Sequence, residues 1–176
     1  MLRALRPAIL VSIIFLVLLG LAYPLAETGI GQAFFSHQAS GSLTGNGSTL
    51  VGQSWTGPRW FQGRPDADDP MTTGAANLGP RSKTLIKDTR QQIAVLRKEG
   101  ITPTPDLVTT SGSGYDPDIS AQDALVQIPM VSKATGIAPS ALRALIAKEN
   151  NGEQLGFLGG SYIDVLQLNE ALAALR

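Results

Sequence analysis

Residues 8–26 read AILVSIIFLVLLGLAYPLA, nineteen positions without a charged side chain, and twelve of them are Leu, Ile, Val or Phe. At ~1.5 Å per residue a helix of this length covers about 28 Å, close to a bilayer core of about 30 Å. Each large apolar side chain contributes roughly −0.3 to −0.6 kcal/mol near the bilayer centre. No ionisable group opposes them, so the stretch predicts a membrane-spanning helix. A cleaved signal peptide is the alternative, with Arg3 and Arg6 as its basic head. The apolar run is longer than the roughly 7–15 residues of such a peptide. Pro24 also stands where cleavage after Ala26 calls for a small side chain. On this reading Pro24 marks the lower end of the span, with Tyr23 at headgroup level.

The flanks of the span predict its orientation. Arg3 and Arg6 precede it, and no further Lys or Arg occurs until Arg59. The positive-inside rule keeps residues 1–7 cytoplasmic and sends 27–176 across, with 27–40 expected as a stalk. The whole chain has 176 residues, 14 basic and 14 acidic side chains, one His and no Cys. Neutral balance excludes a broad basic field for nucleic acid. Without Cys there is no disulfide framework, thiolate metal site or thiol nucleophile. A lone His37 removes the usual multi-His metal sites.

The remainder has two textures. Residues 27–82 hold 22 Gly, Ser or Thr in 56 positions, enough to suggest a linker. Phe34, Phe35, Leu43, Leu50, Val51, Trp55, Trp60 and Phe61 recur through it, so short strands and loops folded onto a domain are expected instead. Asn46-Gly47 is a type I′ hairpin signal. From Pro80 the pattern turns helical, with Leu85, Thr89, Ile93 and Leu96 on one face and Gly100 past the end. Residues 106–110 read as extended. Ser120 with Asp123 predicts a capped helix start, and Pro129 is expected to kink or split that helix. Pro139 opens another helix, ending near Asn151-Gly152. Tyr162–Leu168 alternates like a strand, and Asn169 is placed as the cap of a short terminal helix. The fold class is α+β: one N-terminal span, then one extracytoplasmic α+β domain.

Catalytic motifs fail on inspection. Gly74–Gly79 matches the first six positions of a P-loop, but Pro80 and Arg81 follow where Lys and Ser/Thr are needed. Asp116-Pro-Asp118-Ile-Ser120 opens like a calcium loop, yet Ala121 and Gln127 replace its Gly and Glu. Asp66, Asp68 and Asp69 form an acidic knot that reads as a solvated loop. Ser111 and Ser113 lie in a glycine turn with no imidazole nearby, and Gly112 and Gly114 are both expected in backbone conformations that L-residues resist. Arg64 is the best anion contact; the plainer reading is an ion pair with nearby aspartates. A tethered hydrolase using Ser111 or Ser113, or a solute-binding module, stay open as alternatives.

Several separated motifs, in order, carry a resemblance. They are Tyr23-Pro24-Leu25, Gly41-Ser42-Leu43, Gly52-Gln53, Phe61-Gln62-Gly63-Arg64-Pro65, Asn77-Leu78-Gly79-Pro80, Asp106–Thr109, Ser111-Gly112-Ser113-Gly114, Asp116-Pro117, Ile119-Ser120, Gln127, Pro129, Gly156–Gly159, Val165-Leu166 and Leu168-Asn169. The chain so resembles the KdpC family, the small subunit of the bacterial potassium-transporting P-type ATPase. Asp118 departs from it, standing where the family usually has His, and Ile128 and Gly160-Ser161 depart as well. The resemblance implies a partner complex of KdpA, the channel-like subunit, KdpB, which hydrolyses ATP with Mg, and the small peptide KdpF, all in the lipid bilayer of the inner membrane. Potassium is the implied transported ion; the residues themselves offer no catalytic or metal site on this chain and no nucleic-acid partner, and they leave its cofactor binding open. It also implies a subunit that raises the ATP affinity of KdpB. Gln53, Gly63, Arg64, Pro65, Asn77, Gly79, Ser111, Gly112, Ser113, Gly114, Asp116, Gln127 and Asn169 are the candidate docking or structural residues.

Overall fold

The computed structural model describes residues 2–66, 74 and 77–175, with side chains from residue 5 onward. The chain divides after Gly45 into two compact units. In the first, α1 (Leu2–Val17) runs into a π-helical turn (Leu18–Ala22) and then α2 (Tyr23–Phe34), followed by the single turn α3 (Ser36–Ala39). Residues Leu5–Phe34 form one helix, mean hydropathy 2.6, long and apolar enough to cross a membrane. The helix does not stop at Pro24, as its sequence suggested, and part of the expected stalk is helical. The π turn supplies the reason. Tyr23 donates its N–H to the Leu18 carbonyl, five residues back, immediately before the ring that would otherwise crowd the carbonyl of Gly20. Thr28 Oγ1 donates to the Pro24 carbonyl at 2.8 Å, one turn back along the same helix.

The second unit is mainly helical. Ser82 caps α4 (Lys83–Lys98) by accepting from Leu85 N, and the Leu85/Thr89/Ile93/Leu96 face turns inward as its spacing predicted. Residues 106–108 are not extended; Pro105 at a helix start sets the single turn α5 (Pro105–Val108). Then come β1 (Asp118–Ile119), α6 (Ala121–Thr135), α7 (Pro139–Glu149), β2 (Ile163–Asp164) and α8 (Val165–Ala174). The Ser120/Asp123 capping box forms at α6. Pro129 leaves α6 a single helix rather than two. β1 and β2 pair antiparallel, Asp118 opposite Asp164 and Ile119 opposite Ile163.

Three further expectations are corrected. Among the described residues only Ser42, Asn77 and Leu155 combine a side chain with positive φ, so Asn46 lacks the backbone a type I′ turn demands. The strand read over 162–168 is two residues long, because Asp164 accepts from Gln167 N and starts α8 at once. Asn169 is therefore inside a helix and fully buried, not a cap. The core gathers Phe61, Leu107, Val131, Leu142, Ile163 and Leu168, all at most 1% exposed. At ~25 cal/mol per Å2 such side chains contribute roughly 1.5–3 kcal/mol each, which is what holds the short elements together.

Candidate functional site

Two buried amides fix the backbone at Phe61 and Gln62. The Asn169 side chain accepts from Phe61 N at 2.9 Å and donates to Phe61 O at 2.9 Å. One residue on, Gln127 accepts from Gln62 N at 2.7 Å and donates to Gln62 O at 3.0 Å and Asp123 O at 3.1 Å. Consecutive residues are thus held by side chains from α8 and α6 in the way a neighbouring strand would hold them. Buried backbone groups demand such partners, and no strand lies there to provide them.

Two residues on, Arg64 turns its guanidinium onto the 106–116 segment of the domain. Its Nη1 lies 3.5 Å from Asp106 Oδ1 and 3.6 Å from Asp116 Oδ2, and its Nη2 donates to the carbonyls of Thr109 (3.4 Å) and Thr110 (3.3 Å). The ion pairs expected for Arg64 exist, but with Asp106 and Asp116 rather than Asp66. Asp66 has a different task. It accepts from Ser111 N and Ser111 Oγ, both 2.7 Å, and from Asp116 N at 2.8 Å. Asp66 therefore organises the glycine turn rather than sitting in a solvated loop; Asp68 and Asp69, the rest of that acidic knot, lie outside the described residues.

Within the turn, Ser111 Oγ also accepts from Gly114 N at 2.9 Å, and Ser113 Oγ accepts from Tyr115 N at 3.1 Å. Gly114 has φ +75°, and an added Cβ would meet the Gly74 carbonyl at 3.0 Å. Gly112 has no positive φ and open space around it, so only one of the two glycines is conformationally required. Gly52 is required for another reason: a Cβ would come within 2.6 Å of the Asp116 carbonyl, and Gly52 N donates to Tyr115 O at 3.0 Å.

Apart from Ser113 and Gly114, which stay within the turn, the candidate residues fall into three places. Gln53, Gly63, Arg64, Pro65 and Asp116 line a cleft of about 490 Å3, with Trp55 and Gln92. Asn77, held at φ +51°, lines a second depression with Gly79, Ser111 and Gly112. Gln127 and Asn169 lie beneath, buried. Asp66 stands out in the sequence only as part of an acidic knot and Asp106 only within a motif; they sit 45 and 42 residues from the groups they serve, and no local pattern marks such a pairing. In chemical terms the Ser111 hydroxyl donates to a carboxylate and accepts a backbone amide, with no imidazole in the turn. That arrangement holds the loop in shape.

At the neighbouring ladder, burial pushes the Asp118 carboxyl up to about 6, with Asp116 and Asp164 adding repulsion. Burial also raises Asp164, against the lowering effect of the Gln167 and Leu166 amides, while Glu170 adds to the rise.

Together these features define a class: a small protein with one apolar N-terminal helix, and a helical domain whose polar motif residues bind its own loops. Comparison with known proteins gives the family. The model of KdpC, K+-transporting ATPase, c chain, matches residues 5–174. The chain is 45% identical to the potassium-transporting ATPase KdpC subunit of Geobacter sulfurreducens, covering 98% of both chains. It is 45% identical to that of Caulobacter vibrioides over 99% of this chain and 94% of the relative. It is 42% identical to that of Sorangium cellulosum over the whole of both. The chain belongs to the KdpC family.

Proposed function

We propose that this chain is the accessory, non-catalytic subunit of an ATP-driven potassium-uptake complex, stabilising the assembly of a channel-like KdpA, an ATP-hydrolysing KdpB and the small KdpF. The observation that carries this is the engagement of the motif side chains. Asn169, Gln127, Asp66, Ser111 and Ser113 hold the domain's own backbone, which leaves a shaped surface rather than a reaction centre. Residues 1–7 lie in the cytoplasm and the folded unit outside, on the strength of Arg3, Arg6 and the absence of any further Lys or Arg before Arg59. In that orientation the unit is separated from cytoplasmic ATP, so any rise in ATP affinity at KdpB is transmitted through the assembly. ATP and Mg act at the partner, and potassium is cargo.

Ser113→Ala in the purified complex tests this reading. Potassium-stimulated ATP hydrolysis stays within about three-fold of wild type if the hydroxyl only supports a turn. Loss of turnover with assembly intact means the hydroxyl takes part in the reaction, and the accessory reading fails.

A further inference from the structure

Between α7 and β2 the chain makes a projecting loop. Asn151 and Tyr162 exchange backbone hydrogen bonds at 2.8 and 3.0 Å, and Gln154 and Leu158 exchange two more at 2.9 Å each. At its tip Leu155 is 82% exposed, Phe157 72% and Leu158 47%. Leu155 has φ +56°, a conformation glycine adopts freely and a leucine resists. Almost nothing in the domain covers this side chain, so the fold gains little from having Leu there. Residues held in strain without a folding benefit point to an external use. The loop is closed by its own hydrogen bonds, so its apolar tip is displayed in a fixed shape.

The charge around the tip selects what covers it. The loop's own charge is Glu153, the one charged residue in 150–163; before it Lys148 pairs with Glu149 at 3.3 Å, and no Lys or Arg follows up to Leu175. Asp118 faces Asp164 across the ladder and adds to the same sign. A bilayer with anionic headgroups repels such a surface, and surface-bound segments normally carry Lys or Arg beside their apolar anchors. A second copy of this loop meets the same repulsion. A protein depression that is apolar at its floor and basic at its rim fits on both counts.

We propose that the 151–162 loop is a docking anchor, seating Leu155, Phe157 and Leu158 in an apolar, basic-rimmed depression on a partner subunit of the transport complex. The inference rests on the accessory-subunit reading and names the surface that serves it.

The test uses the intact complex, purified through a tag on a partner subunit. Leu155→Gly with Phe157→Ser lowers the co-purified chain by roughly five-fold or more, as loss of clustered apolar anchors does. The full-length variant in detergent melts no lower than wild type, since glycine suits the positive φ at 155. Restoring an aromatic at 157 as Tyr recovers part of the binding. Unchanged co-purification of the double variant overturns the anchor while leaving the accessory role standing. Failure of the wild-type chain itself to co-purify overturns both. A photo-crosslinking amino acid at 157 reports the occupant: an adduct with a partner subunit supports the proposal, and adducts only with lipid, or only with a second copy, defeat it.

Discussion

Asn169 shows what one side chain can carry. Its amide meets both the N–H and the C=O of Phe61, in a place where water does not reach. Asn169→Leu keeps much of the volume and strands both groups. Each buried, unsatisfied group costs about 1–3 kcal/mol, so the full chain should lose roughly 2–5 kcal/mol in denaturant titration. Gln127→Leu should do the same one residue along. Gly52→Ala is expected to be comparably harmful, about 2–3 kcal/mol, because the added methyl meets a backbone carbonyl that cannot swing aside. Gly112→Ala, with open space and an ordinary φ, should change melting by less than about 0.5 kcal/mol and serves as the control.

At the scale of elements, the two-stranded ladder places one carboxylate directly against another. Asp118 has a folded-state value of about 6, above its ordinary 3.8. Below the lower value both folded and unfolded chains hold the proton; above the upper one neither does. Between them the folded state binds more protons, so stability falls as pH rises through this window. Asp118 is partly buried, and after allowance for screening by water the effect is about 1 kcal/mol, a few degrees of melting temperature. Asp118→Asn should melt higher than wild type at pH 8, equally at pH 4, and show a flatter profile between. A wild-type profile that instead rises from pH 4 to pH 7 would refute this.

Elements differ in how plainly their local residues announce them. The capping box at Ser120 and the α4 face were legible because their signals are local and unopposed. Asp164 with Gln167 is a similar cap signal, overridden on reading by the apolar alternation of 162–168. Pro24 and Pro129 were read as breaks because proline lacks an N–H and crowds the preceding turn. Around Pro24 a wider turn resolves that conflict. Asn169 was assigned to a cap because caps are where exposed Asn is common, whereas its partner, Phe61, is 108 residues away. The candidate site was half legible. Arg64 and the Ser111–Gly114 turn stood out by composition, but Asp66 and Asp106 acquire their roles only through folding.

For the molecule as a whole, the decisive measurement is topology. A reporter that functions only outside the cytoplasm, fused after Arg176, should be active. Activity of a cytoplasmic reporter there would reverse the charge argument and put the folded unit within reach of ATP.

The π turn at Leu18–Ala22 has a consequence for how the anchor meets its surroundings. A helix advances about 100° per residue, so one extra residue in a turn rotates everything beyond it by roughly that angle relative to a regular helix. A neighbour following one flank of α1 loses that flank below Gly20 and meets different side chains along α2. The anchor is keyed like a shaft with two offset slots, able to engage one body in its upper half and another in its lower. Cysteine-accessibility scanning along residues 8–34 should show helical periodicity on both sides, with a phase jump at 18–22.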